Sequence, residues 1–221
     1  MSGATLIVIA KAPLPGRSKT RLCPPCTPGQ AAALAEAALA DTLAAVLATP
    51  AARHLLALEG RPGPWLPQGF DVVDQRGEGL EERLAAAFED GDGPAFLVAM
   101  DTPQLTPHLL REALEALTAP GVDAVLGPTH DGGYWGIGLR RPDPAVFAGV
   151  PMSSSATYAV QVERLRELGL RAGGLPALVD VDTIREARQV AAEAPGTRFA
   201  AALRASGHAT DHGETVTEAA A

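Results

Sequence analysis

Cysteine is nearly absent from this chain: Cys23 and Cys26, in a Cys-Pro-Pro-Cys run, are the only two in 221 residues. A disulfide scaffold is thereby excluded, and a structural zinc site lacks its other two ligands, the nearest histidine being His54. A thioredoxin-like pair would open a helix, whereas here a helix is expected only after Thr27-Pro28, so both read as reduced cysteines in a turn. A surplus of positive charge is missing too. With 18 Lys and Arg against 26 Asp and Glu, net charge −8 and pI near 5.1, the chain has no basic face for nucleic acid. No uninterrupted apolar run approaches the ~20 residues that cross a bilayer, and no basic segment precedes the first short one. The expectation is a cytoplasmic protein with neither membrane nor nucleic-acid partner. Aromatic residues make up only 4%, but 47% hydrophobic residues suffice for one core of ordinary size.

One absence is local. No acidic residue occurs before Glu36, although Lys11, Arg17, Lys19 and Arg21 follow directly on the apolar run Thr5 to Ala10. A strand feeding a Gly/Pro-shaped basic loop and then a helix is how α/β proteins hold phosphates, with fixed charge, backbone N–H groups and the helix N-terminus. The loop is too short for a nucleic-acid footprint and suits a small phosphorylated ligand. It is not a P-loop, because Ser18 rather than glycine precedes Lys19-Thr20, and Gly133 to Gly138 does not spell a dinucleotide fingerprint.

Apolar strand-like runs alternate with helix-like ones along the chain, which predicts an α/β domain with a mostly parallel sheet. Strands are expected at Thr5–Ala10, His54–Leu58, Phe70–Val73, Ala95–Met100, Ala124–Leu126 and Tyr134–Leu139. Helices are expected from Pro28 to about Ala48, then over Gly79–Phe88, Thr106–Leu117, Ser155–Leu168, Thr183–Ala194 and Thr197–Ala205. From Ser206 the chain is polar without a helical apolar face, so 1–205 reads as the domain and 206–221 as a disordered tail. The glycines between Gly127 and Gly138 imply either close backbone approach to a ligand or a structural hairpin. Tyr134 and Trp135, being adjacent, point to opposite faces, so at most one lines a pocket.

Open parallel sheets bind ligands beyond the carboxyl ends of their strands, and that selects the basic loop, Asp101 and the Asp180/Asp182 pair. A carboxylate leaving a fully apolar strand must be solvated, paired or ligated, so Asp101 is a candidate metal ligand, and Asp182 would complete a Mg²⁺ site facing bound phosphates. The structural alternatives are a turn or cap role for Asp101 before Thr102-Pro103 and a helix cap for Asp182.

Four ordered motifs, Lys11-x-Pro-x-Pro-Gly-x-x-Lys-Thr-Arg-Leu22, Met100-Asp-Thr-Pro-Gln-Leu105, Gly127-Pro-x-x-Asp-Gly-Gly-Tyr134 and Val150-Pro-Met-Ser-Ser154, resemble a bacterial glycosyltransferase-like family, some of whose members are linked to arsenosugar biosynthesis. The resemblance spans about residues 4 to 195, while Gln75 to Arg83 resembles the family's corresponding segment with its internal order altered. Its implied fold is a single-domain glycosyltransferase-A, Rossmann-like nucleotide-diphospho-sugar transferase fold, a mixed, mostly parallel sheet flanked by helices. The Lys-Thr-Arg-Leu loop, Asp101 and Asp180 to Thr183 are also similar to guanylyltransferases that activate phospholactate or phosphoenolpyruvate, in which two acidic motifs hold Mg²⁺. At Asp101 the Asp-x-Asp motif familiar from glycosyltransferases is absent, since Thr102 and Pro103 follow it.

Together these resemblances imply a nucleotide-dependent transferase. Lys11, Pro15, Gly16, Lys19, Thr20 and Arg21 would bind the nucleotide, Lys19 and Asp101 would be catalytic, and Asp101 and Asp182 would hold Mg²⁺ or Mn²⁺. Asp131, Gly132, Gly133, Tyr134, Ser153 and Ser154 would bind a small-molecule acceptor, in a monomer or homodimer. Four cations suit a triphosphate and hence nucleotidyl transfer, whereas the fuller motif match favours glycosyl transfer from a nucleotide-sugar. A nucleotide-binding regulator without turnover is the third reading.

Overall fold

The structure is a computed structural model that describes residues 3–210. Seven strands form one sheet: β1 (Thr5–Lys11), β2 (Arg53–Glu59), β3 (Asp71–Asp74), β4 (Ala95–Ala99), β5 (Ala124–Pro128), β6 (Tyr134–Leu139) and β7 (Ala172–Gly174), in the order β3-β2-β1-β4-β6-β5-β7. Pairing is parallel except that β6 runs antiparallel to both β4 and β5. The helices are α1 (Pro28–Leu47), α2 (Leu80–Gly91), α3 (Pro107–Thr118), α4 (Thr157–Glu167), α5 (Ile184–Glu193) and α6 (Arg198–Ala205). This is the α/β architecture expected, with two elements added by tertiary pairing: the edge strand β7 and the reversed direction of β6.

Alternation along the central strands decides what lies on each face. Leu6, Val8 and Ala10 of β1 join Phe96 and Val98 of β4 in a cluster covered by α1 and α3. Ile7, Ile9 and Leu97 point the other way, onto Leu84, Ala87 and Phe88 of α2. Both faces of β1 and β4 are therefore buried, as their unbroken apolar sequences require. A third cluster joins α1, α5 and α6 to Leu22, Cys26, Val179 and Val181.

Helix starts follow their capping residues. Thr27 and Gln30 cap α1 reciprocally, with Pro28 at its first position, and the Thr106 side chain caps α3 ahead of Pro107. Helix α1 is long and apolar enough to cross a membrane by length and hydropathy, a property that its Ala/Leu composition hides from a search for unbroken apolar runs; here 61% of its apolar window is buried in the fold. The glycine-rich hairpin has a packing cause that neither reading of it included. A Cβ on Gly127 would collide with the indole of Trp135, which is buried with its Nε1 donating to the Pro176 carbonyl at 2.9 Å.

The segment expected to be a tail contributes structure at its beginning. Gln30 Nε2 donates to the Ser206 carbonyl at 3.2 Å and Arg188 Nε to that of His208 at 2.9 Å. Residues 211–221 lie outside the described part.

Candidate functional site

Strand order reverses between β1 and β4, the point where an open α/β sheet leaves a crevice beyond its carboxyl ends. A cleft of about 700 Å³ opens there, lined by the basic loop, Asp101, the β5–β6 turn, the serines at 153–155 and Asp180 and Asp182.

Local chemistry shapes the loop. Ser18 folds it back: its Oγ accepts from Leu14 N at 3.0 Å and donates to the Ala12 carbonyl at 3.3 Å, while Gly16 takes the positive φ (73°) that glycine allows without strain. Lys19 is left-handed at φ 51°, and Thr20–Leu22 forms a single 3₁₀ turn whose buried Leu22 anchors it in the third cluster. Pro15 and Gly16 are at the exposed turn, outside the residues lining the cleft; Lys11, Arg17, Lys19, Thr20 and Arg21 line it. The helix expected to meet the loop does not. Helix α1 begins at Pro28, caps itself and lends the cleft only Ala35, because the Cys-Pro-Pro-Cys turn separates the two. Both cysteines are free; burial, with the neighbouring Cys23 adding to it, pushes the Cys26 thiol up, away from the reactive thiolate.

The charges of the loop have carboxylate partners from distant sequence. Lys19 Nζ lies 2.6 Å from Asp101 Oδ1 and 3.4 Å from Asp182 Oδ1, and it also donates to the Val181 carbonyl. Arg21 meets Asp182 Oδ2 at 2.5 Å. Lys11 reaches Glu59 at 3.2 Å, and Arg83, a cleft residue to which no role was assigned from sequence, pairs with the same carboxylate. Only Arg17 of the loop's four cations makes no ion pair among the described residues. Burial pulls the Lys19 ammonium down, but the charges and hydrogen bonds of Asp101 and Asp182 outweigh it and hold its pKa above the ordinary value.

Neither aspartate is a helix cap. Thr106, not Asp101, caps α3, and Thr183 with Glu186 forms the capping box of α5, which leaves both carboxylates facing the cleft. The Val181 amide donates to the Asp101 carbonyl at 2.9 Å, so the segment from Val179 to Asp182 runs alongside the end of β4. Val179 and Val181 are buried, and the alternating Asp180 and Asp182 face the cleft, as residues two apart in an extended segment must. The sequence selects Asp180 with Asp182 as a pair at the ligand-binding edge but names only Asp182 as a metal ligand; the alternation of Asp180 with two valines is the signal that it too faces the cleft.

Asp131, Asp180 and Asp182 offer carboxylate oxygens within 4.8 Å of one another. Burial, then repulsion from Asp131 and Asp182, pushes the Asp180 carboxyl up to about 6. Asp131 Oδ1 accepts from Thr129 Oγ1 at 2.5 Å and from Gly133 N at 2.9 Å, which fixes its carboxylate over the turn. Gly132, at φ 93°, packs so closely on the Ser155 carbonyl that a side chain there would overlap it, and its own carbonyl accepts from Tyr158 N at 2.8 Å. The turn at Asp131 is thereby locked to the serine segment, where Ser153 has φ 55° and Ser154 accepts from Ala156 N. Tyr134 lines the cleft, with its hydroxyl 3.4 Å from Gln161 Oε1 and its ionisation pushed up by burial; Trp135 also contributes to the lining although its side chain is buried in the core on the opposite face, so the expectation that at most one of the two lines a pocket does not hold.

Strand order, switch point and cleft define the nucleotide-diphospho-sugar transferase fold. Within it, the chain belongs to a family described as uncharacterized proteins conserved in bacteria (DUF2064), whose profile matches residues 32–154. A solved structure from Desulfovibrio desulfuricans G20, described as a candidate nucleotide-diphospho-sugar transferase, is 29% identical over 93% of this chain and 95% of its own, with TM-score 0.82. CMP:2-keto-3-deoxy-manno-octonic acid synthetase complexed with CTP is 13% identical over 87% and 98%, with TM-score 0.56. The 2-C-methyl-D-erythritol 4-phosphate cytidylyltransferase of Thermus thermophilus is 17% identical over 88% and 100%, with TM-score 0.53. At those identities the last two enzymes share the fold alone. No curated protein sequence matches the chain.

Proposed function

We propose that this protein is a metal-dependent transferase acting on a nucleotide-activated donor, and that it transfers a glycosyl group from a nucleotide-sugar to a small acceptor. One observation carries the proposal: Lys19 and Arg21 converge with Asp101 and Asp182 at the switch point of the sheet. Around them, four carboxylates, Asp101, Asp131, Asp180 and Asp182, line the cleft, and among the described residues only Lys19 and Arg21 form ion pairs with them, a surplus that a divalent ion would balance. Carboxylate oxygens are the donors that Mg²⁺ and Mn²⁺ prefer, so these residues fit such an ion: Asp131, Asp180 and Asp182 converge within 4.8 Å, and Asp101, outside that triad, shares Lys19 with Asp182, where the two would hold the ion. When bound, the ion would neutralise charge developing on a diphosphate leaving group.

The chain's own groups do the rest. Lys11, Arg17 and Arg83 give the donor's phosphates a positive wall that Thr20 joins, while the Pro15-Gly16 turn, outside the lining, serves only to fold the loop back. Lys19 and Arg21 stabilise the departing oxygens, an electrostatic contribution that grows in the transition state. Asp131, the Gly132-Gly133 turn, Tyr134, Ser153 and Ser154 form the acceptor wall; Tyr134, kept protonated by burial, serves there as a hydrogen-bonding group.

The preference for a diphosphate over a triphosphate follows from the pairing of the loop. Three of its four cations are already paired with carboxylates, Lys11 sharing Glu59 with Arg83, so the loop offers less free positive charge than its sequence suggests, and what remains suits a diphosphate better than a triphosphate. The likeness to the Desulfovibrio protein points the same way. Incubation with nucleotide-sugars, Mg²⁺ or Mn²⁺ and candidate acceptors should release a nucleoside diphosphate without consuming triphosphate. Release of pyrophosphate from a triphosphate, and never of a diphosphate from a nucleotide-sugar, would replace this reading with nucleotidyl transfer. A thermal shift with nucleotides but no turnover across either panel would favour the regulator.

A further inference from the structure

We propose that the Lys19 ammonium is a built-in occupant of the divalent-cation position, and that a metal ion binds between Asp101 and Asp182 only by displacing it. The inference deepens the metal-dependent reading above and rests on it. Lys19 Nζ sits among Asp101 Oδ1, Asp182 Oδ1 and the Val181 carbonyl oxygen, a set made entirely of oxygens, as hard divalent cations prefer. Its side chain is 9% exposed, whereas the two carboxylates are each 35% exposed and open to the cleft. A divalent ion approaching them meets a fixed positive charge, and the ion and the ammonium cannot share those oxygens.

The surroundings allow the exchange. Arg21 takes the other oxygen of Asp182, Oδ2, and is 70% exposed, so it can stay at the rim while Oδ1 changes partner. Lys19 is one of three non-glycine residues with positive φ among the described residues, a conformation that costs free energy and persists where surrounding contacts hold it. Its backbone is held on both sides by the Ser18 and Leu22 anchors, which leaves the side chain as the movable part. Once displaced, the ammonium remains in the cleft that Arg17 also lines, without its carboxylates, and needs an anion. A cation at Asp101 and Asp182 and a phosphate at Lys19 therefore each remove the other's penalty, and such coupling is reciprocal.

The test uses metal alone, with no nucleotide. Titration of Mn²⁺ followed by the spectrum of the free ion should show one weak site in the wild-type chain and, in Lys19→Met, one at least tenfold tighter. Lys19→Arg should stay as weak as wild type, and Asp101→Asn added to Lys19→Met should cancel the gain. Binding of Mn²⁺ by Lys19→Met that is equal to or weaker than wild type overturns the proposal. An independent readout on the wild-type chain follows the Lys19 Cε resonance during Mg²⁺ titration. A shift that saturates with Mg²⁺ supports displacement, and an unmoved resonance at saturating Mg²⁺ overturns it. Thermal shift with nucleotides is scored separately, so a failure of nucleotide binding remains distinguishable from a failure of displacement.

Discussion

At one side of the cleft, the lining residues Lys11 and Arg83 are held by Glu59 at the end of β2, and Arg17, which also lines the cleft, makes no ion pair among the described residues. On the opposite wall, Lys19 and Arg21 are held among Asp101, Asp131, Asp180 and Asp182. The two walls contain the same kinds of group in opposite proportion, and their carboxylates respond oppositely. Burial works against ionisation in both places. The hydrogen bonds and charges of Lys11 and Arg83 nonetheless hold Glu59 below the ordinary carboxylate range, whereas burial together with like charges drives Asp180 to about 6. A cleft with one positive and one negative wall can take an anion on the first and a cation on the second. A loop that looks uniformly basic in sequence is therefore divided between them.

The contrast is open to experiment. The largest effect is expected from the acidic wall: Asp101→Asn should lower metal-dependent product release at least 100-fold, and Asp182→Asn somewhat less, with the melting temperature of both within a few degrees of wild type. Either substitution takes one carboxylate from the nearly buried Lys19 ammonium but leaves the other and the Val181 carbonyl in place, so a loss of ~1 kcal/mol accounts for those few degrees. Full activity in a soluble Asp101→Asn preparation would remove the acidic wall from the chemistry.

On the basic wall, Arg83→Ala should weaken donor binding about tenfold, in keeping with the loss of one charge-assisted hydrogen bond at ~1.5 kcal/mol, while Mn²⁺ binding in the absence of donor stays unchanged. Equal losses of donor and metal affinity would show that the walls do not divide the work. Lys11→Ala should follow Arg83→Ala with a smaller loss, because Lys11 is 60% exposed.

The smallest effect concerns pH. The folded-state pKa of Asp180 lies above the ordinary value of 3.8, so the native state binds the extra proton and stability falls as pH rises from about 4 to about 6. Asp180→Asn removes that penalty. In the presence of chelator its melting temperature should exceed wild type by about 2 to 4 °C at pH 7.5, a shift of ~1 kcal/mol for a chain of this size, and the gap should close below about pH 4. A gap that is absent at pH 7.5, or that widens on acidification, would show that Asp180 is not repelled by Asp131 and Asp182.

Much of the fold was legible because it is locally encoded. The unbroken apolar runs of β1 and β4 announced strands buried on both faces, and Thr27-Pro28 and Thr106-Pro107 announced helix starts. Strand β7 was not legible: Ala172–Gly174 has no apolar alternation and becomes a strand only because β5 offers it backbone partners. The reversed direction of β6 follows from its tight turn with β5, and its insertion beside β4 is a matter of tertiary pairing. Within the site, Asp101 could be singled out as a carboxylate leaving an apolar strand. Glu59 and Arg83 could not, because each is an ordinary charged residue until β1, β2 and α2 come together.

By itself the sequence determined the elements, their caps, the alternation that buries the central strands and the basic loop that follows β1, since all of these depend on residues within a turn or two of one another. Tertiary structure alone decided where the charges of that loop go. β1 pairs with β4 on one side and β2 on the other, and Asp101 and Asp182 follow Lys19 in sequence by 82 and 163 residues. No local rule links residues so far apart. Their meeting depends on parallel pairing of buried strands, which places the carboxyl ends of β1 and β4 at the same edge of the sheet, and on Val179 and Val181 burying themselves so that Asp180 and Asp182 face outward.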